Sequence, residues 1–294
     1  MEKYKKLVYT IPFVGFMCMF FLYGLYYGVS NSFGYKKIVG KSGFTLEYYK
    51  KVLESRGFYE SLFFTSKIAI ISGIIAVLIS IFVMYIFYLN LKYKYVKSQL
   101  FQRVIESPLL VPYLIGAYII LIFFMQSGIL SLFLEKIGII DNYKRFPIIT
   151  NDKFGVGIII TYVWKTVPFI LMMGIPVIKR INTRWDSLGK IFNLSDFQFF
   201  KKILLPLLFP TLTISFFIIL AYFFASFETP YILGVTYPES LAVYVFNIYS
   251  RGKLEDRSIV MVINIFISLI SLGTGAIVYL IFKFFKKYDE KGWL

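Results

Sequence analysis

The chain has 294 residues, 58% of them hydrophobic and 16% charged, and its mean hydropathy is +0.72. A soluble domain is about half apolar and interrupts its apolar segments with polar residues, so this composition excludes an ordinary soluble fold. With no His and one Cys, a disulfide framework, a Cys-based metal site and the usual neutral-pH proton shuttle are excluded as well.

Apolar runs long enough to cross a bilayer, about 20 residues each, recur six times, at roughly 7–29, 63–90, 108–126, 155–178, 204–227 and 258–282. The first follows MEKYKK; it is too long for a signal-peptide core and no small-x-small cleavage site follows, so it is expected to be a retained span. GYKKIVGKS (34–42) ends like a phosphate-binding loop, but its glycine spacing is wrong and it follows a span rather than a strand, so no nucleotide is expected there. ILSLFLEKIGI (129–139) is expected to form a short interfacial helix. Pro108, Pro112 and Pro168 are expected to break helices near span ends, and Asn264 to hydrogen-bond between packed helices. Lys and Arg cluster at the N-terminus, around 92–103, in 179–202 and after 283, next to span ends, while most acids fall in the alternate loops. This places both termini in the cytoplasm. The net charge of +16 is then explained by inward basic flanks on an anionic leaflet, without nucleic acid.

The inner segment 179–203 is too long for a mere connector, since helix connections in bundles run about 2–8 residues. A first helix over about Thr183–Phe192 puts Trp185, Leu188 and Phe192 on one face. Asn193 stands where that helix must stop, and Asn tolerates the left-handed conformation that ends helices. Ser195 with Gln198 forms a capping box for a second helix, with Leu194 and Phe199 as its hydrophobic staple. Pro206 and Pro210 are expected to bend the chain as it enters the next span. The segment reads as helix, sharp turn, helix, presented to a cytosolic partner.

LGKIFNLSDFQFFKKILLPLLFP resembles the cytoplasmic coupling motif of the type I ABC-importer permeases, which runs Glu-Ala-Ala, three residues, Gly, nine residues, Ile-x-Leu-Pro. Anchored on Ile203, Leu205 and Pro206, the motif puts the family's Glu at Ser187, its two Ala at Leu188 and Gly189, and its Gly at Asn193. The second half matches well; the first departs, and Ser187 removes a charge. FTLEYYKKVLESRGFYESLFFT (44–65), SPLLVPYLIGAY (107–118) and ASFETPYILG (225–234) are similar to further stretches of the family, the last to permeases for polyamines, ferric iron, thiamine or phosphonates rather than sugars.

The resemblance implies an all-α membrane protein with six transmembrane helices, the type I ABC-importer permease fold and a cytoplasmic coupling helix. Residues 1–57 are the N-terminal span and external lead-in, 58–287 the permease core with coupling segment 183–203, and 288–294 a cytoplasmic tail. Ser187, Leu188, Gly189, Lys190, Asn193, Leu194, Ser195 and Pro206 are the implied ATPase-coupling residues. The implied partners are a cytosolic ABC ATPase dimer, a second permease (a heterodimer, because the Glu is missing), an external solute-binding protein, and the lipid of a bacterial cytoplasmic membrane. ATP and Mg are used by the partner ATPase; this chain binds no cofactor and is not an enzyme.

A charged side chain within a span costs about 2.5–3.5 kcal/mol on insertion scales and asks for a reason. Lys165 lies inside the fourth span and Glu228 at the outer end of the fifth. One reading lines a translocation path with Tyr162, Trp164, Lys165, Thr166 and Glu228. The other has Lys165 snorkel or pair, with Glu228 or another subunit, and leaves Glu228 among headgroups. The rival class is an autonomous secondary transporter or channel, which should carry more intramembrane charge; a membrane enzyme would need clustered carboxylates, His or Cys, which the sequence lacks.

Overall fold

The computed structural model describes the backbone of residues 2–35 and 43–289, and their side chains except those of 2–9, 98, 182–191 and 284–289. It is all-helical, with no strand among the described residues. The helices are α1 (Glu2–Ser32), α2 (Glu47–Leu53), α3 (Arg56–Tyr93), α4 (Ser98–Glu106), α5 (Tyr113–Phe124) and α6 (Ile129–Lys136). They continue as α7 (Val156–Ile191), α8 (Asp196–Phe199), α9 (Leu205–Ala225), α10 (Glu228–Leu233), α11 (Leu241–Ser250) and α12 (Leu254–Asp289). Six stretches are long and apolar enough to cross a membrane, at Thr10–Ser32, Arg56–Tyr93, Tyr113–Lys136, Val156–Ile181, Asp196–Ala225 and Leu254–Lys283. The phosphate-loop look-alike lies largely outside the described residues.

The chain divides into two compact units. The smaller comprises residues 1–59 and 244–269. In it Phe33 stacks between Phe44 and Tyr49 at 4.9 and 5.3 Å, and the Ser32 hydroxyl bonds that of Tyr49 at 2.9 Å. Val52 and Phe58 are buried, and Ser55 bonds the Tyr244 hydroxyl at 3.0 Å. On α2 the Glu47 carboxylate hydrogen-bonds Lys51 at 2.7 Å and holds that ammonium above the usual lysine pKa.

The larger unit, 60–243 and 270–294, carries the main core. Lipid tails are as apolar as Leu, so helices in a bilayer associate by close packing, which small residues permit. On α3, Ala69, Ser72, Gly73, Ala76 and Ser80 recur at helical spacing and all are buried, while Ile70, Ile74, Leu78 and Phe82 on the other side are exposed. Gly174 of α7 lets α3 approach closely, because a Cβ there would meet the end of the buried Met84 side chain of α3 and push it aside. α7 packs on α5, α9 and α10, and α5 packs on α10; Phe216 of α9 meets the seam at Gly73.

Helix ends follow local chemistry. Asp152 accepts the backbone N–H groups of Phe154 and Val156 at 2.9 and 2.8 Å, capping the start of α7. At the end of α3, Lys94 takes a left-handed conformation (φ 56°), and Asn90 bonds both backbone groups of Val96 to close the turn.

Two expectations are corrected. The expected helix at 183–192 is not separate: α7 runs unbroken from Val156 to Ile191, because no Gly or Pro stands in 177–183 to stop it and a run of charges does not. Pro168 does not end a helix but lies inside α7, as does Pro176. The break expected at Pro108 and Pro112, by contrast, is present. A 3₁₀ turn at Ser107–Leu110 is followed by extended backbone at Val111 (ψ 124°) and Pro112 (ψ 148°), and α5 starts only at Tyr113. Twelve residues of α5 rise about 18 Å, well short of the hydrocarbon thickness of about 30 Å.

Candidate functional site

Two features of the larger unit stand out chemically: the turn that follows α7, and a polar contact inside the bundle beside the break in the third span.

At the turn, Asn193 has φ 47° and is exposed. Ser195 accepts the Gln198 N–H at 3.3 Å while the Gln198 side chain accepts the Ser195 N–H at 3.1 Å, the capping box expected from the residue pair. Leu194 packs on the core, in which Phe199 is buried. α8 then continues through a π turn, Phe200–Leu204, into α9. The π turn answers Pro206, whose ring would clash with the carbonyl four residues back and which has no N–H to give it. With the ladder widened by one residue, the Leu205 N–H bonds Phe200 O instead. Pro206 itself is exposed.

The turn is tied to α3 by a latch not anticipated from the sequence. Asp196 accepts from the Lys92 ammonium and, at 2.6 Å, from the Tyr93 hydroxyl. Beside it Tyr88 stacks on Phe199 at 5.6 Å and Tyr85 meets Phe200 edge-on at 5.1 Å. Phe192 and Phe197, by contrast, are 68% and 58% exposed, leaving two aromatic rings beside the turn. Ser187, Leu188, Gly189 and Lys190 fall on the helical backbone of α7, and their side chains lie outside the described residues.

Inside the bundle, Lys165 is 2% exposed and donates to the carbonyls of Pro108 and Val111. Its ammonium also stands 5.1 Å from the Tyr113 ring centroid. The sequence explains why these carbonyls are available. Pro112 has no N–H to give Pro108 O, which takes only the Val111 N–H at 3.3 Å and keeps room for a second donor; Val111, being extended, turns its carbonyl out of the ladder and leaves it the orphan. An orphan carbonyl inside a membrane costs several kcal/mol, and so does an unpaired ammonium; each satisfies the other.

The five expected path residues stand in different surroundings. Tyr162 is buried and stacked on Phe223 at 3.9 Å, and Thr166 is buried with its hydroxyl on Tyr162 O at 2.7 Å. Trp164 is half-buried against Gly116, where a Cβ would come within 3.1 Å of its ring. Glu228 is exposed at the start of α10. Lys165 is paired with backbone carbonyls rather than with Glu228. Among the described residues no cluster of His, Cys, Asp or Glu is arranged to hold a metal.

No family model matches the chain, and no curated protein matches it. Solved structures do. One is a bacterial alginate ABC transporter in complex with an alginate pentasaccharide-bound periplasmic protein, with a TM-score of 0.71 at 16% identity, covering 94% of this chain and 93% of that one. Another is a bacterial ABC transporter involved in the import of the acidic polysaccharide alginate, with a TM-score of 0.69 at 17% identity, covering 94% and 96%. The chain is an all-helical, multi-pass membrane protein with the fold of an ABC-importer permease.

Proposed function

We propose that this chain is the permease subunit of a bacterial ATP-driven ABC importer, half of a translocation pore fed by an external solute-binding protein. The observation that carries this reading is the left-handed turn at Asn193 with its capping box and exposed Phe192 and Phe197, set at the end of a permease-fold bundle. Exposed aromatic rings at such an end fit a partner's cleft rather than lipid. The partner is a cytosolic ABC ATPase dimer, which uses the ATP and Mg; this chain performs no covalent chemistry. Ser187 at the position of the family's Glu favours a heterodimer with a second permease that carries the charge. The protein sits in the cytoplasmic membrane with both termini inside.

The cargo is set by the binding protein. The likeness of 225–234 to small-solute permeases favours a polyamine-, iron-, thiamine- or phosphonate-type solute. The neighbours that transport alginate share the fold at 16–17% identity, a likeness that does not carry cargo.

The test is a gentle-detergent pull-down of the tagged chain from its native membrane, with mass identification of what co-purifies. An ATPase, a second permease and a binding protein are expected, and the binding protein is then screened for its ligand. A lone subunit that drives uptake in energised, ATP-depleted vesicles overturns this reading in favour of a secondary transporter.

A further inference from the structure

Lys165 is a fully buried cation that the importer reading leaves without a task. Its two carbonyl partners both lie before α5: Pro108 in the 3₁₀ turn, and Val111 at the break itself. The segment that precedes the break, residues 98–110, is strapped to α7 a second time, because the Lys179 ammonium donates to Gln102 Oε1 of α4 at 3.0 Å and Gln102 donates to Glu106 at 2.8 Å. The straps are 14 residues apart on α7, about 21 Å at 1.5 Å per residue. α5, beyond the break, meets α7 through Gly116 against Trp164, through the Tyr113 and Tyr162 rings at 6.5 Å, and through the Tyr113 ring 5.1 Å from the Lys165 ammonium, contacts without hydrogen bonds. α7 itself runs on to Ile191, two residues before the Asn193 turn.

We propose that Lys165 is the positioning residue of a joint within the membrane: it clamps residues 98–110 to α7 so that the two move as one lever with the Asn193 turn, while α5 pivots at Val111–Pro112. An ammonium suits this task because it satisfies two divergent carbonyls at once and excludes water from the break. Lys165 therefore serves the chain's own backbone and is not a ligand for an anionic cargo. The lever rests on the importer reading; the clamp does not.

The experiment uses the full chain with Cys18→Ala and a spin label on Leu110→Cys, a position in the 3₁₀ turn that is 85% exposed. Lys165→Met, Lys165→Arg and Gln102→Ala are compared for label mobility. Uptake and ATP hydrolysis are measured in proteoliposomes with the co-purified partners. In Lys165→Met the label becomes mobile and uptake falls about tenfold, while hydrolysis stays within about twofold. Lys165→Arg, which also reaches two carbonyls, keeps the label fixed and uptake near wild type. Gln102→Ala cuts the second strap without touching the break and lowers uptake by about two- to fivefold. A label as immobile in Lys165→Met as in wild type overturns the clamp. Wild-type uptake in Gln102→Ala, or in Lys165→Met with a loosened label, overturns the lever. If no ATPase accompanies the wild-type chain, the importer reading fails, and label mobility in the isolated chain still decides the clamp.

Discussion

Asn193 shows how one residue's backbone preference shapes a site. A non-Gly residue at φ 47° is uncommon, and for a β-branched side chain it is an outlier. Asn tolerates it because its short polar side chain bonds locally. Asn193→Val should therefore strain the turn by roughly 1–2 kcal/mol and reduce coupled uptake several-fold, whereas Asn193→Gly should match wild type. Uptake and ATP hydrolysis measured together check this; equal uptake in Val and Gly variants would show that the turn's geometry does not matter for docking. Lys165 teaches the complementary lesson. Its charge was visible in the sequence, but its partners are main-chain atoms more than 50 positions away, and backbone carbonyls leave no signature in composition.

At the scale of the element, α8 is only four residues long and is held by what it packs on. The Lys92 and Tyr93 bonds to Asp196, together with the stack of Tyr85 and Tyr88 on Phe199 and Phe200, join it to the last turns of α3. The ion pair is partly exposed, with side chains 34% and 20% accessible, so it is worth less than a buried charged bond, about 1–2 kcal/mol. Asp196→Asn, which keeps the Tyr93 bond and loses the charge, should lower the Tm by roughly 2–5 °C; Lys92→Met should do the same, and the two together little more. A double-mutant cycle by thermal unfolding in detergent measures the coupling, and strict additivity would show that the latch contributes nothing. The capping box was readable in advance because it is local, spanning four residues. The latch was not, because it joins positions 104 apart.

For the whole molecule, the distribution of Lys and Arg predicts the orientation, with both termini inside. In a Cys18→Ala background, Lys144→Cys should react with a membrane-impermeant maleimide in intact cells, and Lys94→Cys only after lysis. Both positions are exposed, so labelling reports sidedness alone. The reverse pattern would invert the protein and remove the Asn193 turn from any cytosolic partner. The same principle sets the division of the main core. α3 turns its small residues inward and its Ile and Phe outward, the inverse of a soluble helix, since lipid accepts large apolar side chains and close helix contact requires small ones.

Hydropathy and local chemistry by themselves determined the six spans, the helical class, the turn at Asn193 and the cap at Ser195. Each depends on contiguous residues whose solvent or backbone preference is strong. Only the tertiary structure decided that α7 runs through the expected break at 179–182, that the break expected from Pro108 and Pro112 falls at Val111–Pro112, that Lys165 closes it, and that Asp196 is latched to α3. A proline announces a missing hydrogen bond, but whether the helix absorbs the loss, as α7 does at Pro168 and Pro176, or breaks, as at Pro112, depends on what neighbouring helices offer the freed carbonyls. At Pro112 that neighbour is a lysine on another span.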